Sequence, residues 1–383
     1  MEKVNILHVV ETLDIGGAES VVVDFVNHMP DRFHSTICCL KHSGPSASKI
    51  TRGSVDIVEL HKGEGNDYKI PGKIARLIKD RNIDILQSHN WATFCESAAA
   101  GFPAVGPVRV HLQHGESPAT AGSFPAHLKR RIRRLAESYL AGRIDAIVAV
   151  SDQAKASLLN ERSIDSRKVV VIRNGISMTE ADPQAVQKKR QELGINKEDF
   201  VIVAVGRLAP VKNYPALIKS FSEVRKKAGR PVSLIIVGDG PERNSLQKLI
   251  EESGLERTAR LLGARNDARE ILSAGHVYVL PSLSEGISIA LLEAMSVKLP
   301  AVATRVGGNG EVVVHGETGY LVEKNDVEAM SQSLLRFIGN EPERIRMGEA
   351  AWRRAADNFS LAATLGSFEK LYTTLLESKR RAA

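Results

Sequence analysis

The chain has 383 residues, of which 43% are hydrophobic and 25% charged, with a formal net charge of +7 and a sequence pI near 9.2. That balance belongs to a water-soluble globular protein long enough for two domains, and no apolar run approaches the roughly 20 residues that a membrane-spanning helix needs. The three cysteines, Cys38, Cys39 and Cys95, supply neither a metal-ligand spacing nor an even-numbered disulfide framework.

The opening run MEKVNILHVV has too short an apolar stretch for a signal peptide and is closed by Glu11, so it reads as the first buried strand of a cytoplasmic protein. HSTICCL, SVDIVEL, DILQSH, VRVHLQH, AIVAVS and KVVVIRNG follow as strand candidates, with helical patterns over 18–27 and 70–81. Cys38 and Cys39 stand side by side in one of these runs, where free cysteine acts as a small apolar residue. In a reducing cytoplasm the sequon at Asn358 carries no meaning. The polar stretch 179–198 has no strand signal and marks a join. VIVAVG then restarts the alternation, followed by SLIIVG, ARLLG, VYVLPS and PAVATRVGG. Strands alternating with amphipathic helices predict parallel sheets, and no repeat of roughly 20 to 50 residues interrupts them. The expected architecture is α/β: two Rossmann-like, doubly wound domains over 1–180 and 181–360 facing across a cleft, with a C-terminal helix over 361–383 packing back on the first. Ligands of such domains gather at the carboxyl ends of the strands.

The chemistry concentrates in the second half. In Ser284-Glu285-Gly286-Ile287-Ser288-Ile289-Ala290-Leu291-Leu292-Glu293 a strand ends, a glycine-containing loop follows, and an apolar helix begins near Ser288. Free amides and the positive end of the helix dipole make such a start a phosphate seat. Glu285 lies in the loop and Glu293 about two turns into the helix. Eight residues of helix would hold the two carboxylates about 12 Å apart, beyond the roughly 5 to 9.5 Å of a glycosidase acid/base pair. They better suit two grips on the hydroxyls of a long ligand, a sugar at one end and a ribose at the other. As plain solvated glutamates they would be unremarked, but Glu293 stands in the apolar run ALLEAM, where an unpaired carboxylate is costly.

Directly after VIVAV comes Gly206-Arg207-Leu208-Ala209-Pro210-Val211-Lys212-Asn213. Paired cations leaving a strand end can neutralise a departing diphosphate, the part a metal plays elsewhere. No D-x-D motif occurs, so the usual carboxylates for a diphosphate-bound metal are missing and no metal or other cofactor is expected. Gly238-Asp239-Gly240 opens like a dinucleotide fingerprint, but Arg243 stands where Gly or Ala belongs, and Gly16-Gly17-Ala18 is also incomplete.

Taken together, GRLAPVKN, VGDGPERNSLQ, LLGARNDAREIL, VLPSLSEGISIALLEAM and PAVATRVGGNGEVVVHGETGYLV resemble, in order and spacing, the retaining glycosyltransferases of family 4 (GT4, GT-B fold). IGGAE and VIRNGI in the first half look similar too. The resemblance implies transfer of a sugar from a nucleotide-sugar donor to a glycan or lipid-linked acceptor, in cell-envelope or exopolysaccharide synthesis. It implies Arg207 and Lys212 on the donor diphosphate, Glu285 with the amides of Gly286, Ile287 and Ser288 on sugar and phosphates, and Glu293 on the ribose. Arg265 would lie beside the nucleobase, Gly16 and Gly17 at the border of the donor. His114, in LQHGES, matches a histidine near the reacting sugar, with His89 a second candidate. One departure is Ser296-Val297-Lys298 where the family has a glycine, which raises the question of strain at a helix C-terminus.

Between these halves AHLKRRIRRLAESY puts Lys129, Arg130, Arg131, Arg133 and Arg134 around an apolar stripe. This is either a helix with a solvated basic face or an element that docks on an anionic membrane, which would hold the protein peripherally at the inner face. Nucleic acid is not expected as a partner, since aromatics are only 5% and none interleave the basic cluster. Two rival functions stay open: a nucleotide-sugar epimerase, for which Glu19 and Glu116 would have to serve as acid and base, and a sugar-nucleotide-binding protein without catalysis.

Overall fold

β-Branched runs that are apolar on both faces are stable only between two layers of helix, and the computed structural model contains two sheets of that kind. It describes residues 3–65, 67–100, 106–115, 138–161, 164–178 and 181–382. The chain divides into two units, Met1–Arg173 with Ala363–Ala383, and Asn174–Ala362.

The first unit carries β1 (Val4–Val10), β2 (Phe33–Cys39), β3 (Asp56–Glu59), β4 (Ile85–His89), β5 (Val108–Gln113), β6 (Ala146–Ala149) and β7 (Val169–Val171). They form one parallel sheet in the order β3-β2-β1-β4-β5-β6-β7. The order reverses between β1 and β4, where loops leave in opposite directions and open a crevice for ligands. Cys38 and Cys39, adjacent on β2, point to opposite faces, into separate apolar clusters around Ile74 and Val22. Burial pushes both thiols up to about 12, and neither is in a disulfide.

The last helix, Leu361–Ala382, closes this unit. Its Phe368 ring stands 5.3 Å from Phe25 and its Tyr372 ring 5.9 Å from Phe33. Arg32 ties Glu369 at 2.8 Å.

The second unit holds β8 (Phe200–Val205), β9 (Val232–Val237), β10 (Ala259–Leu261), β11 (Val277–Leu280), β12 (Ala301–Thr304) and β13 (Gly319–Val322). The parallel order is β10-β9-β8-β11-β12-β13, reversing between β8 and β11. β13 was not among the expected strands. It has four residues, GYLV, directly after Glu317 and Thr318, and pairs with β12 at the sheet edge.

Lys298 follows the helix Ile289–Ser296 with φ of 64°, a conformation that suits glycine, so the strain raised by the sequence is present. Its ammonium reaches Glu349 at 3.0 Å and lies 5.6 Å from the Trp352 ring centre, contacts that offset part of the cost. No described helix is long and apolar enough to cross a membrane. Lys129, Arg130, Arg131, Arg133 and Arg134 lie outside the described residues, as does Glu116.

Candidate active site

In the second unit the loops after β8 and β11, on either side of the order reversal, are stitched together. The amide of Leu283 donates to the carbonyl of Val211 at 2.8 Å. Asn213, left-handed at φ 53° and capping the helix Tyr214–Lys227, donates from its side chain to the carbonyl of Pro281 at 3.2 Å. This places Lys212 against Glu285, Nζ to Oε1 at 2.5 Å, with side chains 20% and 10% exposed. Ser282 Oγ donates to the same carboxylate oxygen at 2.6 Å.

Two phenols lie beneath. Tyr278 Oη donates to the carbonyl of Val205 at 3.3 Å. Burial, then the charges of Tyr214, Glu285 and Glu293, hold its hydroxyl far above the usual phenol range. Tyr214 is raised by burial and by Glu285. Both glutamates therefore act on one small region around Tyr278. Glu293 is half-buried and is the fifth residue of the helix Ile289–Ser296, little more than one turn in rather than two, because that helix starts after Ser288. Ser288 caps it, accepting from the amide of Leu291 at 3.4 Å. Among the described residues none accepts a hydrogen bond from the amides of Gly286, Ile287 or Ser288.

A backbone floor supports these loops. Gly307, left-handed at φ 49°, lies so close that a Cβ there would stand 1.7 Å from the Glu285 carbonyl oxygen. The amide of Gly308 donates to the carbonyl of Gly286 at 2.9 Å. Gly238, of the incomplete fingerprint, plays a packing part: a Cβ on it would sit 2.0 Å from the carbonyl oxygen of Gly206. Tyr214, Tyr278, Ser282 and Gly307 were not singled out from sequence. They join the site through contacts between separate loops, which no linear spacing encodes.

Arg207 is exposed at the start of its loop, and no ion pair engages it among the described residues. Arg265 is held by carboxylates other than Glu285. Its guanidinium is taken by Asp267 at 2.6 Å and Glu192 at 2.9 Å. Hydrogen bonds from Arg265, and from Lys189 with its charge, hold Asp267 well below the usual carboxylate range.

In the first unit Gly16 caps the helix Gly17–His28 with extended backbone. The Glu19 carboxylate folds over it, so that a Cβ on Gly16 would meet Glu19 Oε2 at 2.3 Å. His114 follows β5. Its amide donates to Asn90 Oδ1 at 3.3 Å, and Asn90 is itself left-handed and donates to the carbonyl of Leu112 at 2.9 Å. His114 Nε2 lies 3.1 Å from His89 Nδ1. Burial lowers His114 to about 4. Burial first, then the neighbouring His114, His8 and His111, puts His89 well below its ordinary value. Both rings are uncharged at neutral pH.

An amide cradle at a helix start, a lysine beside it and two carboxylates nearby can bind an anion and grip hydroxyls on either side. Among the described residues no group of three or more His, Cys, Asp or Glu could hold a metal ion.

Residues 185–354 match the family Glycosyl transferases group 1, and residues 15–180 match Glycosyltransferase Family 4. The chain is similar to the UDP-Gal:alpha-D-GlcNAc-diphosphoundecaprenol alpha-1,3-galactosyltransferase of Escherichia coli, 27% identical across 98% of both chains. It is 30% identical to the D-inositol 3-phosphate glycosyltransferase of Corynebacterium urealyticum, over 84% of this chain and 72% of that one. Among solved structures, HepE of Anabaena in complex with UDP-glucose shares the fold with a TM-score of 0.83 at 21% identity, over 97% and 99% of the two chains.

Proposed function

Since the chain belongs to the GT4-type, GT-B glycosyltransferases, we propose that it moves a sugar from a UDP-linked donor to a lipid-linked or glycan acceptor of the cell envelope, with retention of anomeric configuration and without a metal ion. The uridine donor is supported by the E. coli relative, whose name gives UDP-Gal, and by the UDP-glucose bound to HepE. The diphosphoundecaprenol in the relative's name supports a lipid-linked acceptor.

The observation that carries the reading is the Lys212–Glu285 pair lying beside the start of the helix Ile289–Ser296. Before donor binds, the two charges neutralise each other. An arriving diphosphate, seated on the amides of Gly286, Ile287 and Ser288, competes for the Lys212 ammonium and releases the Glu285 carboxylate to accept from sugar hydroxyls. Arg207 joins Lys212 on the phosphates, and Glu293 accepts from the ribose. Arg265, already neutralised by its carboxylates, would offer the base a flat guanidinium face rather than charge. In the first unit, His114 is assigned to the reacting sugar and Gly16 and Gly17 to the edge of the donor.

In the reaction the acceptor hydroxyl attacks the anomeric carbon on the face from which the diphosphate leaves. The bond from that carbon to the phosphate oxygen breaks, the new glycosidic bond forms, and the hydroxyl proton passes to the departing phosphate. Lys212 and Arg207 stabilise the charge that develops on the leaving diphosphate.

Incubation with UDP-, GDP- and ADP-sugars, followed by mass spectrometry and by NMR of the product anomer, tests the proposal. Free UDP with a retained linkage is expected. An interconverted donor would make the protein an epimerase, and no turnover with any donor would leave only binding.

A further inference from the structure

We propose that Tyr372, Gln87 and His89 are positioning residues that hold His114 with its single ring hydrogen on Nδ1, so that His114 meets its ligand as a hydrogen-bond donor and not as a base. The proposal rests on the reading that His114 touches the reacting sugar.

The side chains lie at the order reversal of the first sheet. Parallel pairing sets His8 of β1 beside Gln87 of β4, and the two-residue period of β4 brings Gln87 and His89 to one face. His8, Gln87 and Tyr372 are 0% exposed and His89 is 4% exposed, so none of them exchanges partners with water.

The direction of the chain follows from counting hydrogens. Tyr372 Oη donates to Gln87 Oε1. The phenol has one hydrogen, and the Gln87 oxygen is its acceptor among the described residues, so the amide nitrogen of Gln87 faces the other way. That nitrogen lies 3.4 Å from His89 Nε2, and an amide N–H can only donate there. His8 Nδ1 approaches the same His89 nitrogen at 3.3 Å, with Ser35 Oγ 3.4 Å from its other nitrogen. This arrangement is satisfied when Ser35 donates to His8 and His8 donates to His89.

His89 Nε2 is thus an acceptor from two sides. An uncharged imidazole has one hydrogen, which for His89 must be on Nδ1, and it is donated to His114 Nε2 at 3.1 Å. His114 in turn carries its hydrogen on Nδ1, a buried atom with no partner among the described residues. Burial keeps the rings uncharged, with His8 at about 3 and His114 at about 4. The reverse direction would turn the Gln87 amide around and leave the phenol hydrogen of Tyr372 without an acceptor. With a hydrogen already on Nδ1, His114 cannot accept the proton of an attacking hydroxyl there. It can donate to a lone pair of a sugar oxygen and hold the ring in place.

The test uses the full chain labelled with 15N-histidine. Long-range proton–nitrogen spectra distinguish a protonated ring nitrogen from a bare one, and loss of a signal set in His114→Ala assigns that ring. The expected result is a hydrogen on Nδ1 of His114. A hydrogen on Nε2 overturns the proposal without any further variant.

Two variants test the positioning. Gln87→Leu and Tyr372→Phe, checked for folding by thermal melts, should mix the two His114 forms and lower kcat roughly tenfold with the donor KM little changed. An unchanged His114 spectrum in a folded Gln87→Leu protein also overturns it. Wild-type turnover in His114→Ala would instead remove the assignment of His114 to the sugar, while the spectra still report the chain.

Discussion

Lys212 and Glu285 are 73 residues apart in the chain and 2.5 Å apart in space. Alone, each has an ordinary alternative as a solvated side chain, and together they define an electrostatic contact that an anion can open. Replacing Lys212 by Ala should lower kcat about 100- to 1,000-fold, the loss typical of one charge-stabilising group. The same change strands a half-buried carboxylate, so stability should drop as well. The double variant Lys212→Met with Glu285→Gln separates the two effects: it should recover thermal stability and stay inactive. Wild-type turnover in Lys212→Ala would refute the role. Among the cysteines the order of reaction with a thiol reagent in the folded protein should be Cys95 before Cys38 and Cys39, since burial pushes the latter two up to about 12. Mass spectrometry of the first labelled peptide settles it.

At the scale of elements, the loop after β12 acts as a floor for the loop after β11. Gly307→Ala would set a methyl carbon 1.7 Å from the Glu285 carbonyl oxygen at φ 49°, so one of the two loops must move. A cost of about 2–4 kcal/mol is expected, together with loss of donor binding as Glu285 shifts. Gly310→Ala is the control. It lies in the short helix Asn309–Val312 with nothing within 4 Å of its added carbon. It should be neutral or gain up to about 1 kcal/mol. Equal effects in denaturant melts of the two variants would mean that the floor is not rigid. These contacts explain why the strands were read more readily than the support of the site. A run such as VIVAVG declares itself by composition, whereas the four residues of β13 follow polar neighbours and become a strand by pairing with β12.

For the whole molecule, acid is the sharpest probe, because among the described residues the histidines whose folded values burial lowers are unevenly shared. His8, His89 and His114 lie in the first unit and His276 in the second. Their folded values are lowered, to about 3 for His8 and His276 and about 4 for His114. Between the ordinary value of 6.5 and those values, the unfolded chain binds protons that the folded chain does not. The contribution of these histidines to stability is therefore constant above about pH 6.5 and falls as pH drops below it, by up to about 1.4 kcal/mol per pH unit for each histidine. Carboxylates lowered by their partners, such as Asp267 and Glu343, contribute only further down, below the ordinary carboxylate range. Hydrogen exchange followed peptide by peptide at about pH 5 should show the first unit opening before the second. Simultaneous opening, or the second unit first, would contradict this account.

The sequence by itself determined the strand and helix alternation, the α/β class and the linear motif from Glu285 to Glu293. These depend on composition and short spacing, which neighbouring residues dictate. Only the tertiary structure decided that Lys212 closes on Glu285, that Gly307 underlies it, and that a histidine of β1, one of β4 and one beyond β5 form a buried chain with Gln87. It also decided that Tyr372, from the last helix, anchors that chain. Parallel sheets bring strand ends together only through long crossovers, so which residues meet there is set by strand order and register and not by distance along the chain.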